Sequence, residues 1–330
     1  MAFQTHHLEL TVQAVSEVRL SGQPGKEVRG ALTTALWRRF CVNLEALTCT
    51  DCPLVRECPV AVLVAPLRAE DQQGSEQGVR PYVIQPPMDV PHPLAPQSQF
   101  RFGLGLFGTA ADLFPFVVQG ALAMQHEGLG QRNELGKRGR IKVVQIDAVS
   151  PLTGERQVLY RAGTPLVQLP GLPIGAAQVQ AYAATLPTDQ VTLHLYTPLR
   201  LVDDGQLVKR LTLRPLLQRL MRRLDDLHRS YGGGPLGWDF RDLVAQAERV
   251  QVVRDATRWV DVVSYSGRQQ RSTPIGGLVG AITFGGDLAG LRELLVWGML
   301  VHVGKNVVKG DGWYGLQPLP PLPLVQQGVV

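Results

Sequence analysis

One order of elements occurs twice along this chain of 330 residues, and that recurrence limits its fold more than any single motif does. The first copy opens with HHLELTVQAV, where Leu8, Leu10 and Val12 fall on one face and His7, Glu9, Thr11 and Gln13 on the other. That alternation is a half-buried strand. Pro24 and Gly25 turn the chain, and Val28, Ala31, Leu32, Ala35 and Leu36 then recur at helical spacing. A strand is expected from Phe100 to Gly108, a helix over about 110–125, then a glycine-rich basic loop and a strand from Ile141 to Ile146. The second copy begins with the alternation of VTLHLYTPLRL and a helix carrying Leu213, Leu216, Leu217, Leu220, Met221, Leu224 and Leu227, stopped at Gly232, Gly233 and Gly234. Strands are expected over 250–265 and 278–284, then a helix over 288–301 and a second glycine-rich basic loop. Two α+β domains of the split β-α-β kind fit this order. We place the first at 1–149, with a cysteine-rich irregular insertion at 41–99, a connector at 150–189, the second domain at 190–318 and a proline-rich tail at 319–330.

Composition narrows the class. Hydrophobic residues make up 45% and charged residues 18%, enough apolar sequence for cores without covalent staples. The net charge of +5 points towards an anionic partner, but it is modest over 330 residues and decides little. MAFQTHHLEL has no leader pattern, and the apolar run from Leu294 to Val303 is too short to span a bilayer. A soluble, cytoplasmic protein with no membrane partner is expected.

The second loop contains a literal G-x-G-x-x-G at Gly310–Gly315. A dinucleotide fold needs a strand before that motif, a helix after it and an acidic residue further on. Here a helix precedes it and a proline-rich tail follows, so that class is excluded. What remains is a loop whose backbone lets a ligand approach at Gly304, Gly310 and Gly312, with exposed amides and with Lys305 and Lys309 as phosphate grips.

The residues Gly276, Gly277, Leu278, Val279 and Gly280, then Gly286, Asp287 and Leu288, then His302, Val303, Gly304, Lys305, Gly310, Gly312 and Tyr314 form a series. In order and spacing it resembles the C-terminal domain of the CRISPR-associated repeat-RNA endoribonucleases of the RAMP superfamily. LYTPLRL, RWVDVVSYSGRQQR, EVRGALTTALWRRFC and GLGQRNELGKRGRIKV are similar to the same family. The resemblance implies α+β architecture with two tandem ferredoxin-like (RRM-like) domains, each closing with a glycine-rich loop. It also implies processing of precursor CRISPR RNA into guide RNAs by metal-independent attack of a 2′-OH, with no cofactor needed for catalysis. Two departures stand out. Asn306–Lys309 replace the family's Gly-Thr-Thr-Phe, and Thr33–Thr34 stand where relatives carry Gly-His. The second favours an alternative: a catalytically inactive RNA-binding subunit that holds the guide hairpin in an effector complex with other CRISPR subunits.

Cleavage of this kind needs proton carriers and cations on the phosphorane. Lys26 and Arg29 at the start of the first helix and His302 beside the second loop are the catalytic candidates, although His302 continues the apolar stripe of Leu291, Leu295, Gly298 and Met299. For RNA the candidates are Arg38, Arg39, Arg132, Lys137, Arg138, Arg140, Gly304, Lys305, Lys309, Gly310 and Gly312, with Lys142, Arg222 and Arg223 adding charge. Phosphate contacts of this type give affinity without sequence reading. Few aromatics are present, so recognition of a folded repeat by shape and backbone is expected.

All four cysteines, Cys41, Cys49, Cys52 and Cys58, lie within one segment. Four thiolates with a Cys-x-x-Cys pair suit structural zinc. Buried free thiols and an iron–sulfur or redox pair are the other readings, and a zinc-stapled protein-interaction module is a third function class.

Overall fold

The computed structural model describes residues 3–68, 78–88, 90–266 and 271–316. The chain divides into two compact units: 1–175 with 225–236, and 176–224 with 237–330.

In the first unit the elements are β1 (Thr5–Ala14), α1 (Pro24–Phe40), α2 (Pro59–Val64), β2 (Tyr82–Gln85), β3 (Gln99–Phe107), α3 (Phe114–Glu127), β4 (Ile141–Val149) and β5 (Arg156–Arg161). The sheet order is β2-β3-β1-β4-β5, all neighbours antiparallel. Four of these strands with α1 and α3 make the ferredoxin-like pattern, and β5 extends it. Leu8, Leu10, Val12 and Ala14 are buried on the core face of β1, as the alternation requires. Pro24 occupies the first turn of α1, where its missing N–H is tolerated, and Val28, Ala31, Leu32, Ala35 and Leu36 face inward. The two helices pack closely because Gly120 of α3 has no Cβ: one placed there would stand 2.6 Å from Leu36 Cδ2.

The second unit contains α4 (Ala176–Ala184), β6 (Gln190–Leu199), β7 (Val202–Asp203), β8 (Gln206–Leu207), α5 (Leu213–Tyr231), α6 (Phe240–Arg249), β9 (Gln251–Val260), β10 (Val263–Ser266), β11 (Arg271–Pro274), β12 (Gly277–Gly285), α7 (Arg292–Val301) and β13 (Tyr314–Leu316). The end of α5 groups with the first unit. The main sheet runs β13-β6-β12-β9, again antiparallel and again the ferredoxin-like order. Val191, Leu193, Leu195 and Leu199 of β6 are buried, whereas Thr192, His194 and Tyr196 are only half-buried. The leucine series of α5 from Leu213 to Leu227 is buried throughout. Gly233 and Gly234 then take positive φ and end the helix.

Several expected boundaries change. The irregular stretch 41–99 holds α2 and β2, and β2 pairs with β3 at the sheet edge. The connector 150–189 is not one: β5 pairs with β4, Ile174 pairs with Thr5, and α4 packs against α7. α6 lies where no helix was expected, its start capped by Asp239 accepting from the backbone N–H groups of Arg241 and Asp242. The run 250–265 is two strands. The last helix starts at Arg292, because Asp287 accepts the Ala289 N–H and shapes a separate turn. The proline-rich tail at 319–330 lies outside the described residues.

Candidate nucleic-acid interface

The first unit gathers cations at the start of α1. Both carboxylate oxygens of Glu27 accept from the Ser21 N–H, at 2.9 and 3.1 Å, so the entry to the helix is fixed by its own first turn. Burial pushes the Glu27 carboxyl up, while the Ser21 bonds and the charges of Lys26 and Arg138 pull it back. Arg138 reaches this point because its loop is sewn to the segment ahead of α1: Gln131 N–H donates to Arg19 O at 2.7 Å, and Leu129 bridges Gly139. Two glycines permit that approach, since a Cβ on Gly130 or Gly139 would stand 2.4 Å from the carbonyl oxygen of Arg19 or Glu17. Arg29 acts on a further guanidinium, that of Arg80, whose Nε donates to Val64 O at 2.7 Å. Burial, then the like charge of Arg29, make the Arg80 cation less favourable than it would be in water. The Nε atoms of Arg29 and Arg138 are buried with no hydrogen-bond partner among the described residues.

The other basic candidates separate. Arg38 is ion-paired to Glu127 at 2.8 Å, and Arg39 is exposed. Arg132 donates to Gly136 O within its own loop, and Lys137 and Arg140 are exposed. Arg223 is partly structural, its Nε donating to Val301 O at 2.8 Å beneath the end of α7.

The second glycine-rich loop is laid against the end of β6. Lys305 N–H donates to Arg200 O at 3.0 Å, Gly312 N–H to Pro198 O at 3.1 Å and Trp313 N–H to Thr197 Oγ1 at 2.9 Å. Lys309 and Gly310 donate to Asn306 O and Val307 O, and Val303 donates to Gly312 O. These amides, expected to be exposed for phosphate, are therefore engaged within the unit. Gly310 and Gly312 are buried and Gly304 half-buried; they shape the loop, each with positive φ, and Gly312 lies so close to Val303 O that a Cβ would meet it at 1.8 Å. Lys305 is exposed and Lys309 half-buried. Asp311 is buried below them. Desolvation pushes its carboxyl up to about 7 against the Asn306 hydrogen bond and the Lys309 charge.

His302 has no exposed surface. Its ring stacks on Trp313 with centroids 6.0 Å apart, and Tyr196 meets the same indole edge-on at 5.1 Å. In this conformation it sits in the core, as its place on the apolar stripe allows. Among the groups sequence reasoning passed over, Glu27 and Asp311 stand beside chosen residues, whereas Arg80 lies in the irregular stretch and carries no sequence signal.

The four cysteines are free and half-buried. Asn43 touches two of them: its amide donates to Cys52 Sγ and its carbonyl accepts from Cys41 Sγ, both at 3.5 Å. Burial first, then the charges of Cys58, Cys41 and Cys52, push the Cys49 thiol up. Among the described residues no three histidine, cysteine or acidic side chains already stand arranged around one metal position.

Two ferredoxin-like units follow one another along the chain, and the second closes in a lysine-bearing glycine loop. Residues 193–314 match the family model of the CRISPR-associated endoribonuclease Cas6, and residues 3–172 match a model described as an N-terminal domain, AF_1859_N. Residues 193–314 belong to this CRISPR-associated family. The fold of the chain is similar to that of Thermus thermophilus Cas6 (TTHB231), solved as a product complex: TM-score 0.54 at 16% identity, covering 94% of this chain and 98% of that one. Cas6 TTHA0078 in its product complex gives 0.53 at 15%, covering 95% and 99%. A partial Cas6-RT-Cas1–Cas2 complex gives 0.53 at 13%, covering 96% of this chain and 46% of that one. A comparison with curated protein sequences gives no match. Among the described residues no helix is long and apolar enough to cross a membrane.

Proposed function

We propose that this protein binds CRISPR repeat RNA and cuts it into guide RNAs by metal-independent attack of a 2′-OH on the adjacent phosphorus. The observation that carries the reading is the cation group at the start of α1, with the buried, unpartnered Nε atoms of Arg29 and Arg138. A phosphodiester seated there meets the guanidinium groups of Arg29, Arg80 and Arg138, whose positive charge offsets the charge that builds on the phosphorane. Lys26 and Glu27 are the two groups at that point able to exchange a proton, one for the 2′-oxygen and one for the departing 5′-oxygen. Holding the three atoms of the displacement in line supplies much of the remaining rate. Exposed Lys137 and Arg140 extend the grip along the RNA backbone, exposed Lys305 offers a cation on the second unit by itself, and His302 has a packing role. Other CRISPR proteins are proposed as partners, by analogy with the relative solved in complex with RT, Cas1 and Cas2.

The experiment is cleavage of CRISPR repeat RNAs from the same genome, in EDTA, with a 2′-deoxy control at the scissile nucleotide. One cut leaving a 2′,3′-cyclic phosphate, absent from the deoxy control, is expected. Salt-sensitive binding with no cut overturns the nuclease reading, and no binding overturns both.

A further inference from the structure

Residues 41–58 join α1 to α2 without a core of their own. None of the eighteen is buried. Their larger apolar side chains face water, with Leu47 95% and Val42 82% exposed. A segment of this kind cannot hold a shape by hydrophobic burial, because its ordering entropy has nothing apolar to offset it. Yet it has a definite backbone. Cys41 N–H donates to Trp37 O at 2.9 Å at the end of α1; Cys49–Asp51 is a turn of 3₁₀ helix closed by Cys52 N–H on Cys49 O; Cys58 N–H donates to Leu54 O at 2.9 Å just ahead of α2. All four cysteines therefore sit at the ends of fixed elements, and each is half-buried in a segment whose leucines point out. The side-chain amide of Asn43 donates to Cys52 Sγ at 3.5 Å, the kind of outer-shell contact that orients a thiolate ligand.

We propose that Cys41, Cys49, Cys52 and Cys58 bind one zinc ion as a structural clasp between the end of α1 and the start of α2. The ligand set is four soft thiolates, which closes a tetrahedral site and leaves no position for substrate. Among the described residues no three of the thiols stand around one metal position. No residue of 41–58 is buried, so the segment is free of core packing that would resist its closing on the ion, and the binding free energy supplies the stability that burial does not. This site is independent of the RNA reading: it fails or stands on metal content alone.

The test uses the full chain purified from medium supplied with both zinc and iron, with metals measured by mass spectrometry. About one zinc per chain is expected, with thiols unreactive until a chelator or denaturant is added. Exchange with cobalt should give intense thiolate-to-cobalt absorption. Cys49→Ser/Cys52→Ser should lose the metal and melt at a lower temperature; if that variant does not fold, the metal content of the native chain decides. Metal-free protein with four reactive thiols, bound iron with visible absorption, or a Cys49–Cys52 disulfide each overturns the proposal.

Discussion

The hydroxyl of Tyr314, on the last strand, donates to the carbonyl oxygen of Leu295 in α7 at 2.7 Å. The contact exists because the residue one turn further along the helix is Gly298: a Cβ there would stand 2.0 Å from the Tyr314 hydroxyl oxygen and 2.8 Å from Leu220 Cδ2. Tyr314 is fully buried, and burial pushes its phenol further up, so the bond is made by the neutral hydroxyl. Gly298→Ala should cost about 1–3 kcal/mol through overpacking, and Tyr314→Phe about 1 kcal/mol through the lost bond. Denaturant unfolding of each variant measures both, and Gly298→Ala as stable as the parent would show that the helix moves freely on the sheet.

Burial of the Asp311 carboxyl predicts that the second loop responds to pH. A carboxyl whose folded pKa, here about 7, lies above its unfolded value contributes stability that is full below about pH 4. That contribution is lost as pH rises through 7. The parent should therefore lose stability relative to Asp311→Asn between pH 5 and pH 8, by on the order of 2–4 kcal/mol. Melting curves of the two proteins across that range should converge at low pH and separate at high pH; parallel curves would refute the burial argument.

Arg80→Ala should weaken repeat RNA binding and make the salt dependence of the affinity shallower by about one phosphate contact. Arg38→Ala serves as the control, because Arg38 is already paired with Glu127. Titrations of RNA at several salt concentrations give both slopes; equal slopes for Arg80→Ala and the parent would remove Arg80 from the interface.

Lys26→Ala should lower the cleavage rate about 10²-fold or more while changing RNA affinity only a few-fold, the pattern of a proton carrier rather than a grip. Single-turnover kinetics with saturating enzyme separate the two. An unchanged rate would move the proton transfer to Glu27 or elsewhere.

Sequence patterning reached some parts of this protein and missed others for identifiable reasons. The alternation of β6 and the leucine series of α5 are physical consequences of one face being buried, so they were readable in advance. β2 was hidden because Tyr82–Gln85 is four residues set among prolines and exists by pairing with β3. α6 did carry a signal, Asp239 as a cap ahead of a short periodic run, but within a segment that also reads as a turn. Arg80 was beyond reach: its meaning is the proximity of Arg29, fifty-one positions away in the chain and adjacent only after folding. Residue type showed that the second loop is glycine-rich and basic. It did not show that the amides are already engaged, since that depends on Thr197, Pro198 and Arg200 lying beneath them.

That stitching of the last loop to the rim of β6 bears on how association begins. A loop held by its own bonds does not wait for a visitor to give it form, so on the proposed RNA reading a polyanion arriving at Lys305 would find a finished landing. Capture there is then a matter of collision frequency and long-range attraction, quickened by dilute salt, with little refolding to slow it.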